Sequence, residues 1–205
     1  LSLVPIKVTL DVGRESYGTF RLFQGYVRAS GVTQPPDIGI ELFANDGSLF
    51  MNSTVGVTQS SITQLSVIAQ QIADSNGVLL DFQATDKQIE NYQANKSPVK
   101  QVDDLNAMGG IIATMGDGKL LVINANETSN KAKTLISAAT GMVGIPTLKT
   151  TGVAVKIMIA GNVELADPVV IQSEMLPSAN GEYRVQGIFF DVASRDQQFF
   201  FTLDC

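Results

Sequence analysis

The chain holds few residues whose type and spacing suit chemistry. Gly116-Asp117-Gly118-Lys119 has the composition of a phosphate-cradling loop. It lacks the spacing of a Walker motif, and a tight hairpin turn uses the same residues. Asp103 and Asp104 supply two carboxylates, the pair that general acid–base catalysis asks for. Adjacent residues on a helix diverge by about 100°, so an exposed acidic first turn, favoured by the helix dipole, accounts for them better. Gly141, Gly144 and Gly152 suit a backbone nest for an anion, or ordinary turns. Phe199-Phe200-Phe201 suits a stacking platform for single-stranded bases. In an acidic chain two of those rings are assigned to core, and the third to an interface or strand face.

Composition removes most other chemistry. Among 205 residues there is no histidine and no tryptophan, which excludes Ser-His-Asp and Cys-His machinery and any His-ligated zinc. A carboxylate-only hydrolase and a Ser-Lys pair survive that test. Cys205 is the one cysteine, so no disulfide forms within the chain, and it reads as a terminal strand residue. No cofactor and no metal site is implied. The net charge of −6 argues against gripping nucleic acid by counterion release, and so against sequence-specific binding. A duct through which DNA merely passes tolerates that sign. The chain is 44% hydrophobic and 17% charged, an ordinary globular composition. No apolar run reaches the roughly 18 residues of a membrane helix, and no signal peptide opens the chain. It begins at Leu1 rather than Met, as a fragment or a processed product would.

The elements that must carry these residues centre on residues 136–174. Val153, Val155, Ile157 and Ile159 alternate with Ala154, Lys156 and Met158, the pattern of a strand with one buried face. Pro168 then opens a second strand where its missing N–H costs least. Asn180-Gly181 marks a turn, and residues 198–204 form a last strand with Phe199, Phe201 and Leu203 on one face and Phe200 and Thr202 on the other. Five or six strands in this C-terminal stretch fit a small β-barrel. Residues 1–52 also read as β. Ile6 to Val12 alternate, Gly25 marks a bulge or a close backbone approach, Gln34-Pro35-Pro36-Asp37 is a loop, and Asn45-Asp46-Gly47-Ser48 is a turn. They suggest part of a barrel or sandwich.

Residues 53–130 change to mixed structure. Ser61-Ile62-Thr63-Gln64 has the spacing of a capping box. Leu65, Ile68, Ala69, Ile72 and Ala73 follow the stripe of a half-buried helix, stopped by Asn76-Gly77. Ser97-Pro98 opens a second helix, with Val99, Val102, Leu105 and Met108 as its apolar face. Residues 78–84 form a strand, and residues 111–114 and 119–124 a hairpin. Residues 124–133, NANETSNKAK, read as a polar linker. The fold class is therefore α+β, mainly β. The domains are a β segment at 1–52, an α+β domain with two helices at 53–130, and a C-terminal barrel at 131–205.

TGMVGIP at residues 140–146, the following TTGVAVKIMIAGNVELADPVVIQSE, then NGEYRV and FFFTLDC form a run that resembles the central baseplate hub proteins of tailed bacteriophages. LSVIAQQIADSNGVLLDF and SPVKQVDDLNAMGG extend the resemblance over residues 55–205. Residues 1–52 are shorter than that family's first barrel. The resemblance implies small tube-type β-barrels flanking the α+β insert, a homotrimer closing a pseudo-sixfold ring, and contacts with the tail tube protein above and the central spike protein below. It implies no catalytic residue. The expected location is the virion, at the tail baseplate or tip, after a soluble stage in the host cytoplasm. Two other readings compete: a cell-wall glycan-binding module built on the insert and the polar residues 83–96, and the carboxylate-dependent hydrolase.

Assembly requires an outer surface with apolar residues to spare. Met158, Val170, Phe190 and Phe200 lie opposite the faces assigned inward or beside them. Met158 and Phe200 are the expected subunit contacts.

Overall fold

Alternation at the start of the chain produces a three-stranded antiparallel meander of β1 (Lys7–Arg14), β2 (Gly18–Val32) and β3 (Ile40–Asn45), in that order. Pairings such as Leu10 with Phe23, Val12 with Phe20 and Val32 with Ile40 collect its apolar residues on one face. Two irregularities leave Leu22 and Arg28 of β2 without an opposite residue. Each such bulge resets the side-chain parity and keeps the apolar face continuous. Gly25 sits between them, where a Cβ would collide with the Asn45 carbonyl, so it marks a close backbone approach.

The computed structural model describes residues 6–14, 18–34, 36, 38–45, 55–58, 62–116, 118–158, 163–194 and 199–205. The chain divides after Ala125 into two units. Ile159, most of the expected turn at 45–48 and Ser61 of the expected capping box lie outside the described residues.

The rest of the first unit comprises β4 (Val55–Thr58), β5 (Thr63–Gln64), α1 (Leu65–Asn76), β6 (Leu79–Phe82), β7 (Gln88–Ile89), β8 (Gln93–Lys96), α2 (Pro98–Ala107), β9 (Ile111–Gly116) and β10 (Lys119–Asn124). β4 pairs with β8 and β5 with β7, while β6-β10-β9 form a sheet with β6 parallel to β10. The stripe Leu65, Ile68, Ala69, Ile72 and Ala73 is wholly buried, with Leu105 of α2 and Ile111, Ala113, Leu120 and Val122 of the sheet. Gly77 ends α1 in the left-handed conformation.

Three expectations for the helices need correction. The helix begins at Leu65 with Gln64 at the N-cap, and Gln64 makes no capping bond through its side chain. Asp86 caps it instead, as its carboxylate accepts the Ser66 N–H and hydroxyl. Ser97 and Pro98 open α2 as expected, but Pro98, Gln101 and Leu105 are the buried positions and Val99 is 39% exposed. The helical period turns Val99 outward once Pro98 and Leu105 face the core. Asp103 and Asp104 lie mid-helix, since the first turn of α2 holds no acid.

The second unit comprises β11 (Thr134–Ser137), β12 (Thr147–Lys149), β13 (Gly152–Met158), β14 (Pro168–Gln172), β15 (Gly181–Arg184), β16 (Gly187–Val192) and β17 (Phe199–Asp204). Val153, Val155 and Ile157 are buried and Lys156 and Met158 exposed, the alternation expected of β13. The fold class is mainly β within α+β, and among the described residues the two α-helices lie in the first unit. The expected closed barrel is not found. Among the described residues this unit's strands form two open sheets, β11-β14-β15 and β12-β13-β17-β16. Alternation specifies that a strand has one buried face, which a sheet with free edges satisfies as well as a barrel.

Candidate assembly interface

The residues first weighed for chemistry fall into structural positions. Gly116 and Lys119 face each other at the end of the β9–β10 hairpin and Gly118 has a left-handed backbone, while Asp117 lies outside the described residues. Asp104 binds Lys96 at 2.8 Å while Asp103 points to solvent. Gly141 and Gly144 occupy left-handed turn conformations. Among the described residues no group of His, Cys, Asp or Glu is placed to hold a metal ion.

The polar stretch 124–133 is more than a linker. Ser129 is buried: its N–H donates to the Ala166 carbonyl at 2.8 Å and its hydroxyl to Asp167 at 2.7 Å. Lys131 reaches Asp167 at 3.1 Å and Glu164 at 3.0 Å. Burial lowers the Lys131 pKa, but the hydrogen bonds it donates to the Glu164 and Asp167 carboxylates outweigh it and hold the ammonium above its ordinary value. A lysine kept protonated cannot take a proton from a serine, so this arrangement fastens the segment rather than forming a Ser-Lys pair.

The outer face of sheet β12-β13-β17-β16 carries exposed apolar side chains. Met158 of β13 stands opposite Phe200 of β17, which stands opposite Asp191 of β16. The next row is Lys156, Thr202 and Phe189. Met158 is 45% exposed and Phe189 59%, while Phe200 is half-buried. The Lys156 ammonium lies 5.6 Å from the centroid of the Phe200 ring, within range of a cation–π attraction. Lys149 and Asp204 close the far end with an ion pair at 2.6 Å.

Val170 is half-buried on β14. Phe190 is 47% exposed, on the other side of the sheet from Phe200, and edge-on to buried Phe201 with centroids 4.5 Å apart. Its neighbour Phe189 takes the place on the outer face. Sequence reasoning missed Phe189 because two adjacent phenylalanines point to opposite faces, and only the register against β17 shows which is which. Lys156 was legible as an outward residue in β13, but its ring contact depends on the same cross-strand pairing.

On this face the Thr202 hydroxyl and the Lys156 ammonium belong to cross-strand neighbours. What the face can do is bury apolar surface against another protein, with Lys156 and Asp191 setting polarity.

The fold resembles a 43 kDa tail protein of prophage MuSo2 from Shewanella oneidensis, with a TM-score of 0.57 at 12% identity, covering 89% of this chain and 76% of that one. Prophage tail protein gp18 from Listeria monocytogenes EGD-e aligns with a TM-score of 0.49 at 11% identity, covering 97% of this chain and 84% of that one. No curated protein matches. The family of baseplate hub gp41 matches residues 2–205. On that match the chain belongs to the baseplate hub gp41 family and is a structural protein of a phage tail.

Proposed function

We propose that the chain is one subunit of a closed homotrimeric ring in the tail hub, joining the tail tube protein to the central spike protein around a conduit. The observation that carries this is the pair Met158 and Phe200, partly exposed on a sheet whose opposite face buries Val155, Ile157, Phe201 and Leu203. A contiguous apolar patch of this kind marks an interface, and closed symmetry is the usual form of a soluble homo-oligomer. Met158 and Phe200 are the subunit contacts in this reading. Residues 1–52 and 131–205 supply the ring wall, and residues 53–130 a separate mixed domain. The net charge of −6 suits a bore that lets DNA slide rather than bind. No catalytic step is assigned.

Light scattering coupled to size-exclusion chromatography tests the reading. The full-length gene product is expected to run as a trimer and to co-purify with tube and spike proteins. Met158→Asp and Phe200→Asp are expected to shift it to monomer with unchanged circular dichroism. A wild-type monomer at high concentration would refute the ring. Retention on purified peptidoglycan would favour the glycan-binding reading in its place.

A further inference from the structure

The β2–β3 hairpin carries an anomaly. Its face with Glu41, Phe43, Ala29 and Gly31 continues the polar side of the meander, where Lys7, Thr9, Asp11 and Arg21 lie. Phe43 and Tyr26 are the aromatic residues on that side; Tyr26 is half-buried and Phe43 is 57% exposed. None of the described residues from 28 to 43 is buried. Ala29 stands opposite Phe43, and Gly31 opposite Glu41. Small residues there leave the phenyl ring and the carboxylate standing proud.

The outer face of β12-β13-β17-β16 carries the matching pair. Glu41 and Phe43 are two residues apart on one strand face, as are Lys156 and Met158. Both spacings are about 7 Å. Lys156 is exposed, and Met158 and Phe200 stand beside it. Glu41 makes no hydrogen bond or ion pair among the described residues. Glu41 is exposed on the hairpin face and Lys156 on the sheet face, so the two surfaces present opposite charges. Glu41, Phe43, Lys156 and Met158 are each exposed.

We infer that the β2–β3 hairpin is a docking arm: Phe43 of one copy packs on Met158 and Phe200 of a second copy, and Glu41 pairs with Lys156. The two surfaces differ, so the contact is head-to-tail, the kind that closes a ring when the rotation allows. Phe43 is the anchor, since aromatic residues carry a large share of binding energy at such contacts. The Glu41–Lys156 pair sets orientation and makes assembly salt-sensitive.

This docking rests on the ring reading, and charge reversal separates the two. Glu41→Lys and Lys156→Glu are each expected to weaken self-association of the full chain roughly tenfold or more in analytical ultracentrifugation, and the double swap to restore most of it. Phe43→Ala is expected to weaken it by a similar factor, with circular dichroism unchanged. Phe43→Cys with Met158→Cys is expected to give an oxidised covalent oligomer, since Cys205 is buried and stays silent. A wild-type monomer would overturn the ring and this docking together. A wild-type oligomer that ignores the single swaps, or a double swap without rescue, would overturn the docking alone.

Discussion

Asp86 holds the first turn of α1 from twenty residues away: its carboxylate accepts the Ser66 N–H at 3.0 Å and the Ser66 hydroxyl at 2.5 Å. The Leu65 N–H is satisfied in the same place by the Lys87 carbonyl at 2.8 Å. Two donors that a helix start leaves orphaned thus find partners in one loop.

Replacing Asp86 by Ala is expected to cost about 1 kcal/mol, the usual loss for a cap. Burial raises the Asp86 pKa, but hydrogen bonds from the Ser66 hydroxyl and from the N–H groups of Ser66, Lys87 and Leu65 outweigh it and hold it below the ordinary value. A depressed folded-state value means the stabilisation is complete above the unfolded value of about 3.9 and is lost as pH falls through the folded value. Urea unfolding at pH 7 and in acid checks this. The gap between wild type and Asp86→Ala should be present at pH 7 and close as the acid limit is approached.

The two faces of β13 give a second prediction. Ile157→Ala is expected to destabilise the protein by about 2–4 kcal/mol, as a buried aliphatic lost from a core does. Lys156→Ala on the outer face is expected to stay within about 0.5 kcal/mol for the unassembled chain. Chemical denaturation at low protein concentration measures both. Equal costs would mean the face called inner is not.

Those two cases mark what the sequence disclosed. The buried faces of α1 and β13 were legible because periodicity is written in consecutive residues. Asp86 was not, because the residue that caps a helix need not be its neighbour in sequence. Gln101 was hidden for a different reason. A glutamine on a helix reads as solvent-facing, yet Gln101 is fully buried and accepts a hydrogen bond from Asn76 at 3.1 Å. Burial of that amide depends on a polar partner brought by the other helix, which no local pattern reveals. The parallel pairing of β11 with β14 joins segments some 35 residues apart, and it too left no local trace. Of the candidate site, Met158 and Phe200 were nameable from alternation, whereas Phe189 and Phe43 required register and exposure.

Cys205 supplies a third test. Burial first, and then the neighbouring Asp204 charge, push its pKa up to about 12 against the opposing effect of Lys149. At pH 8 the native thiol is therefore expected to resist Ellman's reagent, and to react fully once urea unfolds the chain. A raised folded-state value adds stability below the unfolded value of about 8.5 that is lost as pH rises toward the folded one. Stability should accordingly fall through the alkaline range, and less steeply in Cys205→Val. Immediate full labelling of the native protein would show that the terminal residue is not packed.

Gly152 decides whether the C-terminus closes onto β13 as described. Its φ of +123° is one that L side chains rarely adopt, and a Cβ there would collide with the Cys205 carbonyl oxygen. Immediately beside it the backbones exchange two hydrogen bonds, Val153 N–H to Cys205 at 3.0 Å and Cys205 N–H to Val153 at 2.9 Å. Gly152→Ala must therefore distort the backbone and also part these strands. The expected loss is about 2 kcal/mol or more, combining backbone strain with overpacking. Gly116→Ala is the control, because a Cβ there meets nothing within 4 Å and its backbone conformation is ordinary. Its effect should stay within about 0.5 kcal/mol. Thermal unfolding compares the two. If Gly152→Ala matched the control, β13 and the chain end could not lie this close, and the rows built on that register, Met158 with Phe200 among them, would have to shift.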